Sequence, residues 1–157
     1  MAIVRLKNTG KLIGLYEIIS GSLGFGIMLF QNLETNGFFL WTFILRLVML
    51  TFFGLTIYAG WSLIKLNKDK IIYSEISQLI QLPIIGFGSF YYALPLGITF
   101  YTGLDYTDTL SYQLDLELVP SYFGIGIFDD ISSAYIFINL IPLVILIFLG
   151  KLKAELS

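Results

Sequence analysis

Residues 38–64 read FFLWTFILRLVMLTFFGLTIYAGWSLI, and Arg46 is the one charged residue among them. As a helix, a run of this length covers roughly 40 Å, which exceeds the ~30 Å hydrocarbon thickness of a bilayer. Trp41 and Trp61 lie about one hydrocarbon thickness apart in such a helix, and Trp favours membrane interfaces. The stretch is therefore predicted to be a membrane-spanning helix.

The whole chain has the composition of a membrane protein. Hydrophobic residues make up 57% of its 157 residues and charged residues only 13%, and the mean hydropathy is +0.84. An ordinary soluble domain carries about 25% charged residues. A soluble chain of this size could not bury so much apolar surface. The length predicts one membrane domain, residues 1–157.

Three further apolar stretches reach or nearly reach the roughly 20 residues that a spanning helix needs. In lipid each must satisfy its own backbone hydrogen bonds, which favours helices. The sequence therefore predicts an all-α fold, a four-transmembrane-helix bundle, with helices at about 12–32, 38–64, 72–100 and 132–149. Pro83 and Pro95 lie inside the third helix and predict kinks there.

The basic residues predict the orientation of this bundle. They precede the first helix, lie between the second and third, and follow the fourth, whereas the other two connections contain none. By the positive-inside rule, both termini are expected in the cytoplasm. These basic residues are Arg5, Lys7, Lys11, Lys65, Lys68, Lys70, Lys151 and Lys153.

The predicted outer loop, residues 101–131, contains two segments with the period-two pattern of β-strands. Apolar and polar residues alternate in Leu110–Val119, and apolar residues alternate with glycines in Tyr122–Phe128. Pro120 and Ser121 between them predict a turn. The segments therefore predict a small extracytoplasmic β-hairpin between the third and fourth helices.

The same loop predicts an acidic outer surface. It is either a solvated face or a docking surface for a basic partner or a cation. Its residues are Asp105, Asp108, Asp115 and Glu117.

Polar residues inside the predicted helices fall into two layers at different predicted depths. Ionisable residues in a membrane are costly and therefore mark pairing or function. The inner-leaflet layer contains Glu17, Ser20, Glu75, Gln78 and Gln81. The outer-leaflet layer contains Arg46, Ser89 and Asn139.

These layers permit more than one interpretation. The inner one is either a packing network, in which Glu17 meets Lys65, or a proton- or cation-responsive site. Glu17 and Arg46 differ in predicted height by about 15 Å, so no salt bridge between them is expected. Arg46 is instead expected to extend outward to an acidic loop residue.

Small residues at helical spacing predict close helix contacts. They are Ser22 and Gly26 on the first helix, and Ser89, Ala93 and Gly97 on the third.

Two short segments carry a resemblance. Gln78–Pro83 and Ile138–Leu140, together with the short Lys-rich tail that follows, resemble small uncharacterised bacterial four-helix integral membrane proteins. The resemblance implies a helical fold embedded in a bacterial inner membrane, and no particular activity.

The expected function is that of a non-catalytic integral membrane subunit or scaffold, which binds partner membrane proteins or itself. The chain has no Cys and no His, which excludes chemistry built on thiols or imidazoles. No nucleophile–base pair or metal cluster emerges, so no enzyme activity, cofactor, metal or nucleic-acid partner is expected. One alternative is a homo-oligomeric ion channel or pore-forming effector. A second is a small proton-coupled transporter that uses Glu17.

Overall fold

A computed structural model describes residues 2–30, 39–88, 90–106, 109–118, 124–127 and 134–156. Within them the chain forms four α-helices and a six-stranded antiparallel sheet, so the predicted all-α four-helix bundle is wrong. The helices are α1 (Ala2–Phe30), α2 (Phe39–Ile64), α3 (Ile71–Gln81) and α4 (Leu140–Glu155). The strands are β1 (Pro83–Phe87), β2 (Phe90–Ala93), β3 (Thr99–Tyr106), β4 (Leu110–Glu117), β5 (Gly124–Ile127) and β6 (Ala134–Asn139).

The chain divides into two compact units. The helical unit comprises the residues up to Ser77 together with those from Leu152 onward, and the sheet unit comprises Gln78–Lys151. α1 and α2 belong wholly to the first unit, and all six strands belong to the second. The expectation that the whole chain acts as one membrane domain stays a prediction.

α1 and α2 form an antiparallel hairpin in the helical unit. A Cβ placed on Gly14 would lie 2.6 Å from the carbonyl oxygen of Gly60, and one placed on Gly21 would meet Ile57 and Phe53. Later residues of α1 therefore face earlier residues of α2. Among the described residues, these are the two helices long and apolar enough to cross a membrane, over Val4–Leu29 and Phe43–Ile64.

The third predicted span is in fact a short helix followed by two strands. α3 ends at Gln81, one residue before the Leu82-Pro83 pair, because the residue before a proline is disfavoured in the helical region. Ile84 and Ile85, and then Phe90 to Tyr92, are β-branched or aromatic residues that favour strands. Gly88 has a φ of 56°, which suits the tight connection between Phe87 and its partner Phe90.

The fourth predicted span is likewise divided, into β6 and α4. Asn139 ends the strand and caps the helix, since its Oδ1 accepts a hydrogen bond from the backbone N–H of Ile141 at 3.2 Å. Pro142 then lies in the first turn of α4, where a missing N–H has no cost. With 16 residues, α4 covers about 24 Å, which is short for a span.

The sheet has the strand order β4-β3-β6-β1-β2-β5. The two segments predicted as strands do form β4 and β5, but the predicted hairpin between them is wrong. β4 pairs with β3, β5 pairs with β2, and the two lie at opposite edges of the sheet. The predicted turn at Pro120 and Ser121 lies outside the described residues.

Candidate functional site

The helical unit buries several polar residues among apolar ones, and it also exposes many large apolar side chains. Glu17, Thr56 and Ser74 are completely buried, whereas Leu23 and Ile72 are among its exposed side chains. Only 33% of each candidate span is buried within the protein, unlike the core helix of a soluble domain. The helical unit thus exposes much apolar surface, while its buried polar groups are hydrogen-bonded inside.

Glu17 lies at the centre of this buried polar core. Its Oε2 accepts a hydrogen bond from the hydroxyl of Ser74 on α3. Ser20, one turn further along α1, donates to the carbonyl oxygen of Tyr16 at 2.8 Å. The proposed neighbour Lys65 instead lies over the ring of Trp61, 4.8 Å from its centroid. The partner of Glu17 on α3 is therefore Ser74, a residue that the sequence-based prediction does not include.

A second buried link joins α2 to α3. The hydroxyls of Thr56 and Ser77 lie 2.9 Å apart and are hydrogen-bonded, and Thr56 also donates to the carbonyl oxygen of Phe52. Ser74 and Ser77 are three residues apart and so share one face of α3. α3 therefore presents hydroxyls to both α1 and α2. The sequence does point to Ser74 and Ser77 as polar contact residues, because they lie on the same stretch as Gln78 and Gln81.

The small residues that bring α1 and α2 together are not the predicted ones. Ser22 is exposed, and a Cβ on Gly26 would meet nothing within 4 Å. Gly14 and Gly21 of α1 lie against α2 instead, where Gly14 faces Gly60, whereas Gly10 faces the side chain of Leu152.

The small-residue stripe predicted on the third helix is wrong, because its described residues lie in a strand and a bend. Ala93 is a buried residue of β2, and Gly97 lies in a bend with a φ of 69°. Ser89 lies outside the described residues.

Arg46 closes the far end of α1. Its Nη2 donates to the carbonyl oxygens of Met28 and Leu29 at 2.9 and 3.0 Å. A cation at a helix C-terminus satisfies carbonyls that lack intrahelical partners and interacts favourably with the helix dipole. Within the described residues, Arg46 therefore caps α1 and does not make the expected contact with an acidic loop residue.

Glu75 pairs with the C-terminal end of the chain rather than with the buried core. Its Oε2 lies 3.0 Å from Nζ of Lys153. The side chain of Lys153 is 43% exposed and that of Glu75 is 19% exposed, so water screens the pair. Near it, a Cβ on Gly10 would meet the side chain of Leu152. The end of α4 therefore lies against the start of α1.

The remaining predicted polar residues organise the sheet unit. Gln78, Gln81 and Asn139 are all buried. The Oε1 of Gln81 accepts from the backbone N–H of Leu96 at 3.2 Å, and the backbone N–H of Asn139 donates to Leu82 at 2.8 Å. The bonds of Gln81 and Asn139 hold the chain at the point where the strands follow α3.

One face of the sheet is apolar and open. Leu114 of β4 lies diagonally across from Leu104 of β3, and Leu104 pairs with Ile136 of β6, which pairs in turn with Ile85 of β1. The register therefore places apolar side chains from neighbouring strands side by side. The exposed members are Phe87, Phe90, Leu104, Tyr106, Leu110, Tyr112, Leu114, Leu116, Ile136 and Ile138. We call this set the apolar sheet face.

The opposite face carries the acidic residues. Asp105 accepts a hydrogen bond from Gln113, and the hydroxyl of Tyr101 donates to Asp115 and Glu117 at 3.5 and 3.4 Å. Burial and then these two carboxylates raise the pKa of Tyr101 to about 12. Three of the four predicted acidic surface residues are therefore on one sheet face. Asp108 lies outside the described residues.

No protein-family model, curated protein or solved structure matches the chain.

Proposed function

We propose that the protein is a non-catalytic integral membrane subunit, anchored by the α1–α2 hairpin, that binds another membrane protein through the apolar sheet face. The observation that carries the proposal is the face itself. Its ten exposed side chains offer on the order of 1,000 Å² of apolar surface, against roughly 800 Å² per partner in a standard interface. Patches of this size on soluble monomers mark interaction sites.

The membrane anchor is supported by the arrangement of the helical unit. Glu17 and several hydroxyl groups are buried together with apolar side chains, many other apolar side chains are exposed, and both hairpin helices exceed the length of a span. The antiparallel hairpin also brings Arg5, Lys7 and Lys11 to the same end as Lys65 and Lys68. The positive-inside rule then favours a cytoplasmic location for that end.

The C-terminal residues lie at the same basic end of the hairpin. Leu152 lies at Gly10, and Lys153 pairs with Glu75 at the start of α3. The protein is therefore proposed to lie in the inner membrane of a bacterium, with both termini in the cytoplasm.

The chemistry of the proposed partner follows from the composition of the face. No charged residue belongs to the apolar sheet face, and the hydroxyls of Thr102 and Tyr112 on it bond each other. A matching partner presents an equally uncharged apolar surface, as membrane proteins do, rather than a basic peptide or a nucleic acid.

A photo-crosslinking amino acid at Ile136 in intact membranes tests the interaction. We expect a covalent product with one defined membrane protein, and we expect Leu104→Gln in the same chain to reduce it several-fold. Ser111→Gln adds the same side chain to the opposite face and serves as the matched control. Products with lipid alone, or equal loss in the control, would contradict the proposal.

A proton-coupled transporter that uses Glu17 is a second candidate, because this carboxylate is fully buried in the span of α1. Its test is coupled uptake in liposomes with Glu17→Gln. The ion channel stays an alternative hypothesis, to be tested by current recordings in the same liposomes.

A further inference from the structure

β4 is an edge strand, and in the described part of the chain it pairs on one side only, with β3. All but the last of its eight residues, Leu110–Glu117, are exposed. An open edge presents backbone N–H and C=O groups on which another strand can pair. The strand contains neither Pro nor Lys, which commonly protect such edges.

One hydrogen bond shows which backbone groups face the open side. The N–H of Leu116 donates to Oδ1 of Asp115 at 2.7 Å, so it points away from β3. In an antiparallel ladder, residues alternate between those bonded to the neighbouring strand and those directed away from it. Leu110, Tyr112 and Leu114 therefore also direct their N–H and C=O groups to the open edge.

We propose that β4 pairs antiparallel with β4 of a second copy of this chain, about a twofold axis at Gln113, to make one continuous sheet across the two copies. The inference goes beyond the proposed function, because it concerns the edge of the sheet and not the apolar sheet face. It requires neither the membrane anchor nor the partner protein.

The sequence of β4 is complementary to itself in this register. Tyr112 lies opposite Leu114 of the second copy, and Leu110 lies opposite Leu116, so apolar side chains meet apolar ones. Ser111 lies opposite Asp115 of the second copy, which gives each carboxylate a hydroxyl donor. Centring the pair on Asp115 instead would place two carboxylates directly opposite each other, which is destabilising.

The register also matches the backbone and the two faces. The outward-directed residues of one copy meet the outward-directed residues of the other, so their N–H and C=O groups can bond. Each strand keeps its apolar side chains on the same side, because residues that are directly opposite point to the same face. The two apolar sheet faces therefore become one larger face.

Single cysteines test the axis directly, because the chain has no native Cys. At the axis, Gln113→Cys places two thiols in a non-hydrogen-bonded pair with Cα atoms about 4.5 Å apart, within disulfide reach. Ser111→Cys is the matched control on the same strand and face. Its thiols would lie about 14 Å apart along the strands, too far for a disulfide.

Full-length protein in its membranes is treated with a mild oxidant and analysed without reductant. We expect most Gln113→Cys chains to run as covalent dimers and Ser111→Cys chains to stay monomeric. Equal crosslinking of both variants, or none in either, overturns the proposal. Loss of the photo-crosslink at Ile136 alone would instead count against the proposed function.

A second substitution keeps the result independent of the cysteine. Leu114→Pro removes an outward-directed N–H and leaves the bonds between β4 and β3 in place. It should abolish the Gln113→Cys dimer, whereas Leu114→Ala should preserve it. Equal dimer formation in the two variants would show that β4 edges do not pair.

Discussion

The hydroxyl of Ser74 on α3 donates a hydrogen bond to the carboxylate of Glu17 on α1, and both side chains are completely buried. With the Thr56–Ser77 pair, this bond ties α3 to both helices of the hairpin. Polar groups buried in this way contribute to stability chiefly because losing a partner leaves the other desolvated.

Ser74→Ala should lower the free energy of unfolding by about 1–3 kcal/mol, because Glu17 loses a donor that water cannot replace. Unfolding of the purified protein in bicelles would measure it. Thr51→Val is the control, since the Thr51 hydroxyl is exposed and returns to its own helix at Leu47. Equal effects of the two substitutions would show that the Glu17–Ser74 bond is not stabilising.

Gly60→Ala should separate α1 from α2 and cost about 1–3 kcal/mol in unfolding free energy, as overpacking does. A Cβ at Gly60 would meet the carbonyl oxygen of Gly14 and lie 3.0 Å from side-chain atoms of Glu17 and Ile18. Gly54→Ala on the same helix meets nothing within 4 Å and should be neutral or slightly stabilising. The same unfolding experiment compares the two, and similar losses in both would contradict the close contact.

The Glu75–Lys153 salt bridge should contribute little. Because both groups are partly exposed, a double-mutant cycle with Glu75→Gln and Lys153→Gln should give a coupling of about 0–1 kcal/mol. The coupling should decrease between low and high salt. A coupling above about 2 kcal/mol that is insensitive to salt would show that the pair is more buried than the structure has it.

Tyr101 should make the sheet unit sensitive to alkali. Its folded pKa of about 12 exceeds the ordinary value of 10, so the folded protein holds this proton more tightly than the unfolded chain does. The resulting stabilisation is complete below pH 10 and is lost as the pH rises toward 12. Tyr101→Phe should reduce the slope of stability against pH in that window. A difference ultraviolet titration between the two proteins should show a tyrosine with a midpoint near pH 12, and a midpoint near 10 would contradict this.

The sequence predicts helices α1 and α2 and the strand segments β4 and β5, but the helices that it predicts over two further apolar stretches are wrong. α2 was readable because its apolar run is unbroken and far longer than a strand. The stretch around Ile84 and Tyr92 is equally apolar, and hydropathy does not distinguish a buried strand from a spanning helix. Pro83 and the β-branched residues after it indicate strands, but a proline inside a long apolar stretch equally predicts a kinked helix.

The sequence does not predict which strands pair with each other. Alternation located β4, but the choice of β3 over β5 as its neighbour depends on long-range contacts that no local pattern encodes. For the polar core, the sequence predicts that Glu17 belongs to an inner polar layer, and in the structure Glu17 is buried. Its partner Ser74 is not predicted, because serines in apolar stretches usually bond only their own helix.

Insertion of the α1–α2 hairpin into the bilayer is tested by the reactivity of single cysteines in detergent-free membranes. Ile19→Cys lies on the exposed side of α1, where 53% of the native side chain is accessible, and Asn8→Cys lies near the basic end of the same helix. If the hairpin spans the bilayer, a maleimide should label Asn8→Cys readily and Ile19→Cys at least tenfold more slowly until detergent unfolds the protein. Equally fast labelling of both would mean that water, and not lipid, covers the outside of the helices, and the account of a membrane-anchored subunit would be wrong.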